Sequence, residues 1–250
     1  MIDLEEDDLA LDEAALLIAA HAYPDFDVDS WLYRLDDLAA MCAHDATARG
    51  VVHSLFVDQG FAGNIEAYGD PRNSMLNEVI DRRVGIPITL SVLLIEVARR
   101  LGVRLHGVGM PGHFLVGVDE EPGMFVDPFY GGAQIDADGC RIRFEALQGP
   151  NATWSSAYLV PTGTRAILLR MLNNLAQSYA SGRGAAWVCR LRLGFVELPV
   201  AERRRTALVL GSTGAFAEAS GVLDTLADSL SGDIAEEVRA QAVSFRARAN

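Results

Sequence analysis

Gly85-Ile86-Pro87-Ile88-Thr89-Leu90-Ser91, running on to Arg100-Leu101-Gly102, is the stretch that decides the fold. Pro87 sits where helices accept proline, at the first helical position, and Gly102 closes the far end. Beyond it, residues 105–108 and 114–118 have the composition of strands. Asp119-Glu120-Glu121-Pro122-Gly123 reads as a hairpin loop, and residues 124–126 begin the return strand. If Asp119 and Gly123 bound that loop symmetrically, His113 faces Phe129 and Leu115 faces Asp127. His113 and Asp127 are then diagonal neighbours on one face, with Cβ atoms roughly 7–8 Å apart or less, close enough for an imidazole–carboxylate bond. A two-residue shift of the loop centre would put them directly opposite, so either register permits the pair.

A His and an Asp on adjacent strands, facing a helix N-terminus, are two members of a cysteine-type triad. Thr89 and Ser91, a turn or less from Pro87, offer hydroxyls as replacement nucleophiles, although such residues in a first turn mostly serve caps and local backbone bonds. Gly112 permits close backbone approach beside His113, and a cleft at a helix start favours anions. Asn73, Asn77 and Glu78, just ahead of the helix, are candidate binding residues of the same cleft; capping and turn formation are their plainer uses. Arg82 and Arg83 are expected to pair with the acidic N-terminal helices. His21, His44, His53 and His106 show no metal-ligand spacing, so neither a metal nor another cofactor is expected.

Several ungapped motifs occur here in a fixed order: Asp70-Pro71-Arg72-Asn73-Ser74, Leu76-Asn77-Glu78-Val79, Arg82-Arg83-Val84-Gly85-Ile86-Pro87-Ile88-Thr89-Leu90-Ser91, Gly112-His113-Phe114-Leu115-Val116 and Asp127-Pro128-Phe129-Tyr130-Gly131-Gly132. Together they closely resemble the SirB1 family, a branch of the transglutaminase-like, papain-related superfamily with a tetratricopeptide-like C-terminal region. The resemblance implies that His113 and Asp127 match the superfamily's His and Asp. It also implies that Pro87 occupies the position of the nucleophilic Cys. Proline carries no nucleophile, so acyl transfer by the usual route is closed at that position.

The flanks agree in kind. Leu9, Ala10, Ala14, Leu17 and Ile18 repeat at helical spacing, and His21-Ala22-Tyr23-Pro24 breaks that helix. Asp29 or Ser30 is placed to cap a second helix carrying Trp31, Leu32, Leu35, Leu38 and Met41, and residues 51–60 predict a third. After the hairpin, Ile135 and residues 141–144 suggest one more short strand pair. From Thr164 onward the chain predicts helices broken near Gly182, Pro199, Gly211 and Gly232. Gly184-Ala185-Ala186-Trp187 and Gly214-Ala215-Phe216-Ala217 are alike, a spacing near the usual tetratricopeptide period. Trp187 and Phe216 read as helix-packing residues.

Composition narrows the function classes. Half of the 250 residues are apolar and the formal net charge is −13. Through Asp45, thirteen acids face one basic residue, Arg34. That is the reverse of what phosphate binding needs, so no nucleic-acid partner is expected. The chain has no Lys, and so no amine to offer a cross-linking enzyme. Apolar runs are too short for a bilayer span and the first residues are acidic, which predicts a cytoplasmic protein with no membrane partner. Cys42, Cys140 and Cys189 form no paired motif, as in a reducing compartment. Cys189 reads as core, Cys42 ends an amphipathic helix, and Cys140 follows a turn nearest the candidate site.

The expected architecture is α+β. It comprises an N-terminal helical segment (1–68), a transglutaminase-like core with a major helix on a small antiparallel sheet (69–162), and a tetratricopeptide-like helical-hairpin array (163–250). The expected function is a non-catalytic binding, scaffold or regulatory protein with a protein or peptide partner, and a small amide or acyl group in the remnant cleft. The alternative is an amide hydrolase or acyl transferase in which His113 and Asp127 work with Thr89, Ser91, water or a nucleophile of the substrate.

Overall fold

The computed structural model describes residues 9–179 and 183–249. They form two compact units, residues 9–171 and 172–249. The N-terminal helices and the sheet lie in one unit, and the division falls inside a helix.

The first unit is a run of helices and short strands. They are α1 (Leu11–Ala20), α2 (Val28–Cys42), α3 (Ala48–His53), β1 (Ala62–Gly63), α4 (Leu76–Arg82), β2 (Val84–Gly85), α5 (Pro87–Arg100), β3 (Leu105–Val108), β4 (Leu115–Val118), β5 (Phe125–Asp127), β6 (Ala133–Ile135), α6 (Ala137–Gln148), β7 (Pro161–Thr162) and the start of α7 (Thr164–Ser178). Every residue of α5 from Pro87 to Ala98 is buried. A helix that is apolar all round has to be covered all round. Strands β3 and β4 supply part of that cover, α1, α2, α3 and α4 another part, and the turn Pro128–Tyr130 and the β1–β2 pair also pack on it. This is why the N-terminal helices and the sheet are inseparable.

The sheet is antiparallel in the order β6-β5-β4-β3-β7. Val116 pairs with Val126 and Gly117 with Phe125, the register that the symmetric loop predicts. Strands β1 and β2 form a separate parallel pair. Gly63 in β1 lies so close to the turn after β5 that a Cβ would stand 2.5 Å from the Phe129 ring and carbonyl. Gly63→Ala is therefore expected to lower stability by about 1–3 kcal/mol through overpacking, read from urea denaturation.

Four local expectations are corrected. Residues 141–144 are helical, inside α6, because Asp136 caps that helix through the Gly139 amide and the buried residues Cys140 and Phe144 are one turn apart. The Arg141-Ile142-Arg143-Phe144 alternation imitated a strand. Helix α2 is capped by Asp27, whose carboxylate accepts from the amides of Asp29 and Ser30, not by either of those residues. The third helix starts earlier, behind the Thr47 cap, and widens into a π turn over Ser54–Asp58. Arg82 reaches Asp70 and Arg83 donates to the Gln59 carbonyl. The N-terminal acids are met instead by Arg99 and Arg100 on Asp12 and Arg100 on Asp36, while Arg34 of α2 pairs with Asp81 of α4.

Asp12 and Glu96 form a buried acidic pair under Arg99 and Arg100, with Glu96 bonded to Arg99 at 2.8 Å. Burial acts against ionisation of Asp12, but the Arg100 hydrogen bond and the two guanidinium charges outweigh it and lower its pKa. Glu96 is pushed up to about 6, first by burial and then by the Asp12 charge. The folded protein thus holds the Glu96 proton more tightly than the unfolded chain, so this group's contribution is greatest below pH 4.5 and is lost as pH rises through about 6. A rise of that size corresponds to about 2 kcal/mol. In urea denaturation, the stability of wild type relative to Glu96→Gln should fall by about that amount between pH 4 and pH 7. A difference constant with pH would contradict the assignment.

The second unit continues α7 and adds α8 (Arg183–Gly194), α9 (Val200–Ser212), α10 (Phe216–Asp228) and α11 (Gly232–Ala249). Each of the last four packs on a sequence neighbour, and α9, α10 and α11 close around a core of Ala207, Leu223, Leu226, Ala227, Val238 and Ala242. Phe216 stacks on Phe245 and Trp187 meets Tyr179 edge to face, so both serve helix packing. The expected break at Gly182 lies outside the described residues.

Candidate functional site

His113 is set by a short backbone device. Gly112 before it has φ +78°, and a Cβ there would lie 2.3 Å from Gln148 Nε2. The His113 amide donates to the Met110 carbonyl, and Arg170 Nη2 donates to the carbonyls of both Met110 (2.8 Å) and His113 (2.7 Å). The loop carrying the imidazole is thus clamped by a guanidinium whose pKa burial lowers.

The ring meets Asp127 as the diagonal register requires. Nε2 lies 3.0 Å from Oδ1 and 2.9 Å from Oδ2, with His113 4% and Asp127 0% exposed. Asp127 also faces Arg143 Nε at 3.3 Å and accepts from the Tyr130 amide at 3.4 Å. Arg143 lies 3.8 Å from the centre of the Tyr130 ring, and the imidazole contacts Phe129 and Tyr130. With Nε2–H donated to the carboxylate, Nδ1 is the nitrogen left to act as a base, and no described residue bonds to it.

The helix head offers that base little to work on. Pro87 is the first residue of α5 and is buried. The turn Pro128–Tyr130 behind Asp127 packs against the same helix. Thr89 Oγ1 donates to the Asn73 carbonyl at 2.5 Å and reaches the Ile86 carbonyl at 3.2 Å, fully buried. Ser91 is fully buried and its hydroxyl has no partner among the described residues. Asn73 pins a loop, donating from Nδ2 to the carbonyls of Ala67 and Tyr68 and accepting from Asn64. Glu78 accepts the Tyr23 hydroxyl, whereas the buried Asn77 Oδ1 has no partner among the described residues.

All three cysteines are free and buried. Cys140 is packed with Val108, Met110, Leu115, Phe125 and Phe144. Burial, reinforced by Asp136 and Asp127, pushes its thiol up to about 12, the opposite of what a nucleophile needs. Burial raises Cys42 and Cys189 as well. Among the described residues no group of three or more His, Cys, Asp or Glu could hold a metal, and no helix is long and apolar enough to cross a membrane.

Sequence reasoning missed Arg143 and Arg170. Neither belongs to a periodic or spaced motif, and each acts across the fold. The aromatic pair Phe129 and Tyr130 stood inside a quoted motif, but only the folded turn shows them walling the imidazole.

A buried helix packed on an antiparallel sheet, with a His just ahead of one strand bonded to an Asp at the end of the next, is the core expected of a transglutaminase-like protein. The sequence profile of the transglutaminase-like superfamily matches residues 27–173, well over half of the chain. The chain belongs to that superfamily. It is similar to UPF0162 proteins: 40% identical over 190 residues to one from Xylella fastidiosa strain 9a5c, and 33% over 186 residues to one from Pseudomonas aeruginosa. Each match covers 71% of this chain and 68% of the relative. Mouse F-box only protein 21 is 34% identical over 124 residues, 46% of this chain and 19% of that one. No solved structure matches the chain.

Proposed function

We propose that this chain is a SirB1-like member of the superfamily that works without a nucleophile, as a non-catalytic binding or regulatory protein. The observation that carries the reading is Pro87 at the head of α5, where the resemblance puts the superfamily's thiol. The Thr89 hydroxyl is committed to backbone carbonyls, Ser91 is sealed, and the three thiols are buried with raised pKa values. In this reading the His113–Asp127 pair ties the hairpin to its turn, and the tetratricopeptide-like helices recruit a protein or peptide partner in the cytoplasm.

One observation favours a second reading. The unpartnered Nδ1 of His113 would let the pair activate water or a substrate nucleophile, giving slow amide or ester hydrolysis or acyl transfer. Turnover of a panel of activated esters and peptide amides by the full chain separates the two. The binding reading expects no turnover above that of His113→Ala, and partner capture that survives this substitution. Turnover abolished by His113→Ala in a folded protein would establish the enzyme.

A further inference from the structure

The second unit holds a cavity of about 480 Å³, lined from α7, α8 and α9 and separate from the His113 site. Arg192, 8% exposed, forms part of its wall. Its Nε donates to Asn173 Oδ1 at 2.9 Å, Nη1 to Thr206 Oγ1 at 2.8 Å, and Nη2 reaches Glu202 Oε2 at 3.3 Å. Each acceptor is thereby turned toward the guanidinium. What remains is donor-rich: two N–H groups of Arg192, the Nδ2 amide of Asn173 and the Thr206 hydroxyl hydrogen, none with another acceptor among the described residues. Glu202 also holds Arg205 at 2.6 Å, so two guanidiniums share one carboxylate and the cavity keeps one positive charge in excess. That local sign is opposite to the chain's net charge of −13. Ala176, Ala185 and Val209 supply apolar wall, and burial raises the pKa of the Cys189 thiol, keeping it neutral.

We infer that this cavity binds a monocarboxylate carried on a short apolar body. A surplus of donors beside a buried cation with incomplete pairing selects a ligand that only accepts hydrogen bonds and carries one negative charge. The volume falls within the roughly 300–1,000 Å³ of small-molecule sites. The carboxylate could come from a free acid or from the C-terminus of a peptide.

Calorimetric titration of the full chain tests this with two matched pairs: 4-phenylbutyrate against 4-phenylbutyramide, and acetyl-Ala-Leu acid against its C-terminal amide. In at least one pair the acid should bind once per chain, at least about tenfold more tightly than its amide. The pair that responds identifies the source. Arg205→Gln, at a side chain 71% exposed and so safe for folding, should weaken the acid at least about threefold and leave the amide unchanged. Arg192→Gln should abolish discrimination, and where it fails to fold Arg205→Gln still decides. Equal binding of acid and amide, no heat up to about 10 mM of either acid, or acid affinity untouched by Arg205→Gln would overturn the site.

Discussion

Pro87→Cys is expected to place a low-pKa thiol at the head of α5. Proline at this first helical position supplies no needed N–H, and Leu90 already bonds to the Ile86 carbonyl, so the helix survives the exchange. A thiol there would feel the unpaired amides of the first turn, and in the arrangement that the resemblance implies it would also face His113. Both favour the thiolate, and such sites take a Cys from about 8.5 down to about 3.5–7.5. The pH dependence of alkylation should therefore give the variant a thiol with a pKa below about 7, which the buried wild-type thiols do not show. Adding His113→Ala should raise that value by at least about one unit. An ordinary pKa near 8.5, indifferent to His113→Ala, would mean that Pro87 does not stand in for the thiol and that the cleft reading is mistaken.

Asp127→Ala should be among the most destabilising single changes in the first unit. The carboxylate is fully buried and serves His113 and Arg143 together. Its removal strands a buried imidazole N–H and leaves Arg143 facing an empty position. Breaking a buried pair from one side costs about 3–5 kcal/mol, and the partial exposure of Arg143 sets the expectation at the lower end, about 3. Asp127→Asn keeps the shape and one acceptor, and should cost about 1 kcal/mol. Urea denaturation of the two variants measures both. A loss under about 0.5 kcal/mol in Asp127→Ala would show that the pair is not a structural tie, and would favour its retention for chemistry.

The His113–Asp127 pair was legible because each step toward it is local. A five-residue loop sets the hairpin register, and the two-residue period of a strand then puts both side chains on one face. Helix α6 shows the opposite case. Four residues of misleading alternation outweighed a capping Asp136 and an i,i+4 pair, because short windows fit both periods. The hydroxyls of Thr89 and Ser91 lay between these extremes. Their place in the first turns of α5 was readable, but their partners were not.

Local periodicity and turn chemistry, then, were enough to derive helix α5 with proline at its head, the hairpin, and an imidazole within reach of a carboxylate. Tertiary structure alone decided that Arg143 shares Asp127, that Arg170 clamps the His113 loop, that Thr89 spends its hydroxyl on Asn73, and that Asp12 meets Arg100 across 88 residues. Those pairings join charges and carbonyls far apart in the chain. No repeat spacing announces them, since they are selected by which groups the packed core leaves without water.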